Sequence, residues 1–232
     1  MTAYWQSQRH RDYHLRQYQE PYRSTVALAD FVTRIAPTLT GRAVDVGCGA
    51  GANVYHLRQA LPPLEWWGID LAYLDEARSR LPEVQFVEAD FYKLSGLGER
   101  FDVVFSIQTL SWLPAYEDAL AELIGATVPG GWLFITSLFT DSSAEAVTTV
   151  RLPGGGESPY NVYSLERFQA ECERRRAQVV AAEDFLIDVD LEAPTDRGMG
   201  TYTRRLEDGS RLQFSGPLWM PWKFVAVRKM AE

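Results

Sequence analysis

Between Ala43 and Asn53 the chain reads Ala-Val-Asp-Val-Gly-Cys-Gly-Ala-Gly-Ala-Asn, an apolar run that reaches an acid and then turns through alternating glycines. That order describes a buried strand, a turn without Cβ obstruction and the opening of a helix. Glycine adopts backbone angles closed to other residues and lets a ligand touch the main chain. Placed between strand and helix, the turn offers free N–H groups and the positive end of a helix dipole to an anionic or polar ligand. Gly47, Gly49 and Ala52 also satisfy the dinucleotide spacing G-x-G-x-x-G/A, so the turn alone leaves the kind of nucleotide open. The plain alternative is a turn that only lets a helix pack closely on its strand.

Around this turn the pattern alternates between strands and helices. Ahead of it, residues 4–22 interleave Tyr4, Trp5, Tyr13, Tyr18 and Tyr22 with arginines, which suggests helical turns lying over the domain. Leu28, Phe31, Val32 and Ile35 then mark a helix from about Thr25 to Ile35, stopped by Pro37. After the turn, Val54, Leu57 and Leu61 form one helix face, and Leu64–Ile69 reads as a second strand ending at Asp70. Asp70 stands 23 residues beyond Gly47, where a carboxylate can accept both hydroxyls of a ribose or, more simply, cap the next helix. A third strand at Val84–Glu88 leads to Ala89-Asp90-Phe91, an acid and an aromatic suited to adenine's amine and flat face, or else a turn and a core residue. Phe101–Ser106 is a fourth strand, Pro114 opens a periodic helix, and Pro129-Gly130-Gly131 turns into a fifth strand, Trp132–Phe139.

Periodicity is lost over 140–163, which reads as a loop or lid. Ser164 then caps a helix that ends near Arg174-Arg175-Arg176, favourable charges at a helix C-terminus. A sixth strand is expected near Val179–Leu191 and a last one over Trp222–Arg228. Between them, 200–216 has the form of an inserted hairpin. A three-residue loop Glu207-Asp208-Gly209, with Gly209 left-handed, keeps Tyr202, Leu206, Leu212 and Phe214 on one face.

Composition narrows the partners. At 232 residues and 46% hydrophobic, the chain can bury the core of one α/β domain. A net charge of −8 argues against broad binding to nucleic-acid backbone. Cys48 and Cys172 are far apart and form no C-x-x-C pair, so neither a disulfide framework nor a metal site follows. With neither a signal-peptide core nor a membrane-length apolar run in the sequence, a cytoplasmic setting is expected. Nothing in the pattern sets an oligomeric state.

Taken in order, Asp45–Gly51, Asp70, Ala89-Asp90-Phe91 and Pro129-Gly130-Gly131 resemble the class I S-adenosylmethionine-dependent methyltransferases of small molecules. By motif the resemblance covers about residues 25–140. It implies a doubly wound, Rossmann-like α/β fold with a seven-stranded, mostly parallel sheet whose last strand is antiparallel. On this reading 1–232 is one domain: an N-terminal lid over 1–24, a cofactor-binding core over 25–139, a loop or lid over 140–163 and a C-terminal part over 164–232. The resemblance implies S-adenosylmethionine as cofactor and S-adenosylhomocysteine as product. Asp45, Gly47, Cys48, Gly49 and Gly51 would line the methionine part, and Asp70 the ribose. Leu71, Asp90 and Phe91 would meet adenine, and Gln108 would lie near the methyl end. Tyr18, Tyr22 and Arg23 would belong to a covering N-terminal segment.

A sulfonium is an activated methyl donor, so aligning the acceptor and excluding water supply much of the rate. A base is needed only where an acceptor must lose a proton, and His10, His14, Tyr160 and Asp141 are the candidates. The sequence after the fourth strand is Ser106-Ile107-Gln108-Thr109, not Asn/Asp-Pro-Pro-Tyr, and there is no Pro-Cys nucleophile. A small-molecule oxygen or nitrogen acceptor is therefore expected, with no nucleic acid and no membrane as partner. Two rivals stand beside this reading: a catalytically idle cofactor-binding module, and an NAD-linked oxidoreductase, against which the missing Tyr-x-x-x-Lys pair counts.

Overall fold

A computed structural model of the protein describes residues 16–152, 156–195 and 200–231. Helix α1 (Arg23–Ile35) buries Leu28, Phe31 and Val32 on one side, as their spacing requires. β1 (Arg42–Val46) feeds the glycine turn, which opens α2 (Ala52–Ala60). β2 (Glu65–Asp70), α3 (Leu74–Arg80), β3 (Gln85–Glu88), β4 (Phe101–Ile107), α4 (Tyr116–Ala126) and β5 (Thr127–Thr140) continue the alternation. Next come a hairpin of β6 (Thr149–Leu152) and β7 (Gly156–Pro159), the short β8 (Tyr163–Ser164), α5 (Leu165–Arg174) and β9 (Ala177–Asp184). β10 (Thr201–Arg205), β11 (Arg211–Ser215) and β12 (Leu218–Trp219) form a separate small sheet before β13 (Trp222–Lys229).

The main sheet runs β3-β2-β1-β4-β5-β13-β9, with β8 paired beside the end of β5. β1 to β5 pair in parallel, and β13 is antiparallel to both β5 and β9. The doubly wound fold with an antiparallel last strand is thus as expected. The chain leaves β1 toward β2 on one side and later returns to β4 on the other. The glycine turn therefore sits at the switch point, where a crevice opens beyond the carboxyl ends of the strands. Helices cover both faces. On one, α1, α2 and α3 bring Phe31, Val32, Leu57 and Ala77 against Phe105, Phe134 and Phe224. On the other, α4 and α5 bring Leu120, Leu123, Phe168 and Cys172 against Val104, Leu133 and Val225. Each of these large apolar side chains contributes about 1.5–3 kcal/mol by leaving water. No helix among the described residues is long and apolar enough to cross a membrane.

Several expectations change. The sixth strand ends at Asp184 rather than near Leu191, because its partner β13 begins at Trp222 and the last bond is Phe185 N–H to the Trp222 carbonyl, 2.9 Å. The alternation of Ile187, Val189 and Leu191 is therefore not a sheet pattern. The fifth strand starts at Thr127, so Pro129-Gly130-Gly131 is an irregularity within the strand, where the pairing with β4 shifts register. The stretch 140–163 holds a hairpin and β8 rather than pure loop. The inserted hairpin has the expected three-residue loop, with Gly209 at φ 85° and Leu206 N–H bonded to the Ser210 carbonyl. It gains an unforeseen third strand, β12.

Candidate cofactor site

β1 carries Asp45 into the interior, opposite Gly68 of β2 and Phe105 of β4. Asp45 is completely buried, and neither carboxylate oxygen has a hydrogen-bond partner among the described residues. Burial disfavours its charged form and nearby Asp70 adds like-charge repulsion, so its pKa is pushed up to about 8. Leaving such a group unsatisfied costs about 1–3 kcal/mol, so a buried orphan acid asks for a partner from outside the chain.

The turn folds over the end of β2: Gly47 and Cys48 N–H both donate to the Ile69 carbonyl, at 2.8 and 3.1 Å. Gly47 has φ 84°, and a Cβ there would stand 2.4 Å from Thr109 Oγ1, so the position excludes any other residue on two counts. Gly51 is the left-handed residue that starts α2, and its open face meets the Tyr18 hydroxyl and Phe86 ring. Cys48 is buried, its thiol pushed up by desolvation, so it packs as a small apolar group.

Asp70 ties β2 to this turn. One oxygen accepts from Gly49 N–H at 2.8 Å; the other accepts from Leu71 and Ala72 N–H at 2.7 and 3.0 Å. Desolvation raises its pKa against the opposing pull of those three donors. Three of its roughly four lone-pair sites are taken, so Asp70 positions the turn and keeps about one site to spare. It is not the cap of α3; that position belongs to Tyr73, at φ 62°. Leu71 is 63% exposed, an unusual setting for leucine and an apolar surface beside the crevice.

At the end of β3, Asp90 accepts from Tyr92 N–H at 3.0 Å and starts a 3-10 turn. Phe91 is buried in the core on the α4 face, so the packing role competes directly with the ligand role expected of it. Gln108 follows β4 at φ 58°, a left-handed strain of about 1–2 kcal/mol for a residue with a Cβ. It is held there by its N–H to the Thr136 carbonyl, 2.8 Å, and by Nε2 to Ser24 Oγ at the start of α1, 3.2 Å. Strain of this kind collects where the surrounding fold fixes a side chain for use.

Of the N-terminal candidates, Tyr18 is brought to the turn. Its hydroxyl donates to the Ala50 carbonyl, its ring lies 5.3 Å from Tyr55, and the Arg80 guanidinium sits over it at 4.7 Å. Tyr22 caps α1 from the half-exposed surface. Arg23 turns away, pairing with Asp188 at 2.7 Å on the exposed surface. His10 and His14 lie outside the described residues. Tyr160 is not placed as a base: it is buried against Trp112, its hydroxyl donates to Met220 Sδ at 2.9 Å, and burial raises its pKa further. Asp141 pairs with Lys223. The arginines at the end of α5 are spent in part on buried Glu171, which pairs with Arg174 and Arg175. Thr109, which buttresses Gly47, and Ser24, which holds Gln108, escaped the reading of the sequence; no local pattern marks a residue whose partner is 62 or 84 positions away.

Residues 43–131 match a family model described as a methyltransferase domain. The chain is 30% identical over 180 residues to phthiotriol/phenolphthiotriol dimycocerosates methyltransferase 1 of Mycobacterium ulcerans, covering 75% of this chain and 65% of that protein. It is 37% identical over 93 residues to trans-aconitate 2-methyltransferase of Escherichia coli, covering 39% of this chain and 36% of that one. The chain thus spans less than two thirds of the length of these curated relatives. Among solved structures, the fold is similar to SAM-bound CalS10, an amino pentose methyltransferase from Micromonospora echinaspora. The TM-score is 0.56 at 18% identity, over 94% of this chain and 96% of that one. It is also similar to an S-adenosylmethionine-dependent methyltransferase from Clostridium acetobutylicum, with TM-score 0.59 at 11% identity, over 96% and 98%. Residues 43–131 thus carry a methyltransferase domain, and in its ordered motifs and sheet order the chain is similar to the class I S-adenosylmethionine-dependent methyltransferases.

Proposed function

We propose that this chain transfers the methyl group of S-adenosylmethionine to an oxygen or nitrogen of a small-molecule acceptor, with residues 1–232 acting as one methyltransferase domain. The observation that carries the reading is Asp45, a buried acid with both oxygens unpartnered at the foot of the glycine turn. An ammonium from the methionine part would complete it. In this reading the turn Gly47–Gly51 takes the methionine part, Asp70 the ribose hydroxyls, and exposed Leu71 with Asp90 the adenine. The cofactor supplies the activated methyl group; the chain's part is to hold donor and acceptor in line and keep water out. Strained Gln108, at the end of β4, is assigned to the methyl end of the cofactor. The two relatives are named for acceptors as different as trans-aconitate and phthiotriol dimycocerosates, so their likeness does not set the acceptor of this chain.

Calorimetric titration with S-adenosylmethionine, S-adenosylhomocysteine and NAD tests the cofactor on wild type and Asp70→Ala. Micromolar binding of the first two, weakened at least tenfold by the substitution, is expected. Binding of NAD alone, or of none, would sink the reading. Transfer of labelled methyl to a panel of hydroxy, carboxy and amino compounds then tests catalysis; a cofactor-binding protein inert toward all of them would be the idle module.

A further inference from the structure

The inserted sheet of β10, β11 and β12 does more than decorate the fold. Between it, the ends of β5 and β9 and the start of β13 lies a cavity of about 250 Å³. Its apolar walls are Leu186, Leu212, Trp219, Met220 and Trp222. Trp219 is 44% exposed, a large aromatic left open to solvent. The charged groups of the lining are all engaged in ion pairs: Lys223 bridges Asp141 and Asp184, and Arg211 meets Asp190. Two cations, Lys223 and Arg211, against two carboxylates, Asp141 and Asp184, leave the lining without net charge.

One polar group of the lining is not satisfied. Gln213 of β11 is only 2% exposed, and its Nε2 donates to the Phe185 carbonyl at 2.7 Å. Only the amide NH2 can donate to a carbonyl, so this bond fixes the orientation of the amide and leaves its oxygen as the free end. Gln213 Oε1 has no hydrogen-bond partner among the described residues. A buried acceptor in this state calls for an N–H or O–H from outside.

We propose that this cavity binds a neutral ring compound carrying a hydroxyl or N–H group, the ring against Trp219, Trp222 and Met220 and the donor on Gln213 Oε1. The volume falls below the ~300–1,000 Å³ of pockets that enclose a whole drug-sized ligand, so it suits a single ring or one end of a longer molecule. The site does not depend on the methyl-transfer reading. Phenol and anisole are the probes, alike in ring and differing in the O–H donor, followed by calorimetry and by the tryptophan indole N–H signals. Phenol is expected to shift the Trp219 and Trp222 signals and to bind about tenfold more tightly than anisole, the worth of one hydrogen bond to a buried acceptor. Gln213→Met should erase that preference. Trp219→Ala, a change at an exposed side chain that leaves the fold intact, should weaken both probes. Equal binding of phenol and anisole to the wild type would overturn the proposal, as would phenol affinity unchanged by Trp219→Ala.

Discussion

Replacing Asp45 by asparagine keeps the shape of the side chain and removes its titration. In the wild type the folded-state pKa of about 8 lies well above the usual 3.8. Between those values the folded protein holds a proton that the unfolded chain has released. Stability therefore falls as pH rises through that window, is level above it, and the effect vanishes below about pH 4. The shift is about 4 units at ~1.4 kcal/mol each, on the order of 5 kcal/mol across the whole window. Urea unfolding of wild type and Asp45→Asn at several values from about pH 5 to pH 8 singles out this group and the Asp70 coupled to it, since titrations remote from both cancel in the difference. The variant should gain on the wild type by ~1.4 kcal/mol per pH unit. Parallel stability curves would refute the argument, and so would a wild type that gains on the variant with rising pH. Binding gives the companion test. If an ammonium must meet an ionised Asp45, cofactor binding near pH 7 should release close to one proton, read by calorimetry in buffers of different ionisation enthalpy. Asp45→Asn should abolish that release.

Gly47→Ala should lower stability by ~1–2 kcal/mol from the left-handed backbone alone and further through the clash with Thr109, with cofactor binding lost; thermal melting and calorimetry check both. Arg23→Ala should leave stability within ~1 kcal/mol and cofactor affinity unchanged, because its guanidinium is committed to Asp188 at the surface; a tenfold loss of affinity would bring Arg23 back into the site. Phe168→Ala should cost ~3–5 kcal/mol by opening a cavity beside Tyr116 and Phe139, measured by urea unfolding, with cofactor affinity preserved in the folded fraction.

Much of the architecture was legible in the sequence because its signals are local. The spacing of Leu28, Phe31 and Val32 defines a helix face within four residues, and Gly209 names its hairpin loop within three. The glycine turn, Asp70 and Asp90 each stand at a strand end that can be read from the apolar run before it. Where the reading failed, the deciding partner was distant. Phe185–Leu191 alternates like a strand yet leaves the sheet, since β13 offers no backbone beyond Trp222. Tyr160 carries a titratable hydroxyl, but Trp112 and Met220 enclose it.

The sequence by itself determined the class of fold, the order of its strands' roles and the residues around the glycine turn, because periodicity and turn chemistry act between near neighbours. Only the tertiary structure decided which of those residues are free. It left Asp45 without a partner, spent Asp70 on three backbone donors, turned Arg23 outward and set Gln108 in a strained conformation over Ser24. Burial and hydrogen bonding are properties of atoms brought together from far along the chain, so they exist only once the sheet has closed.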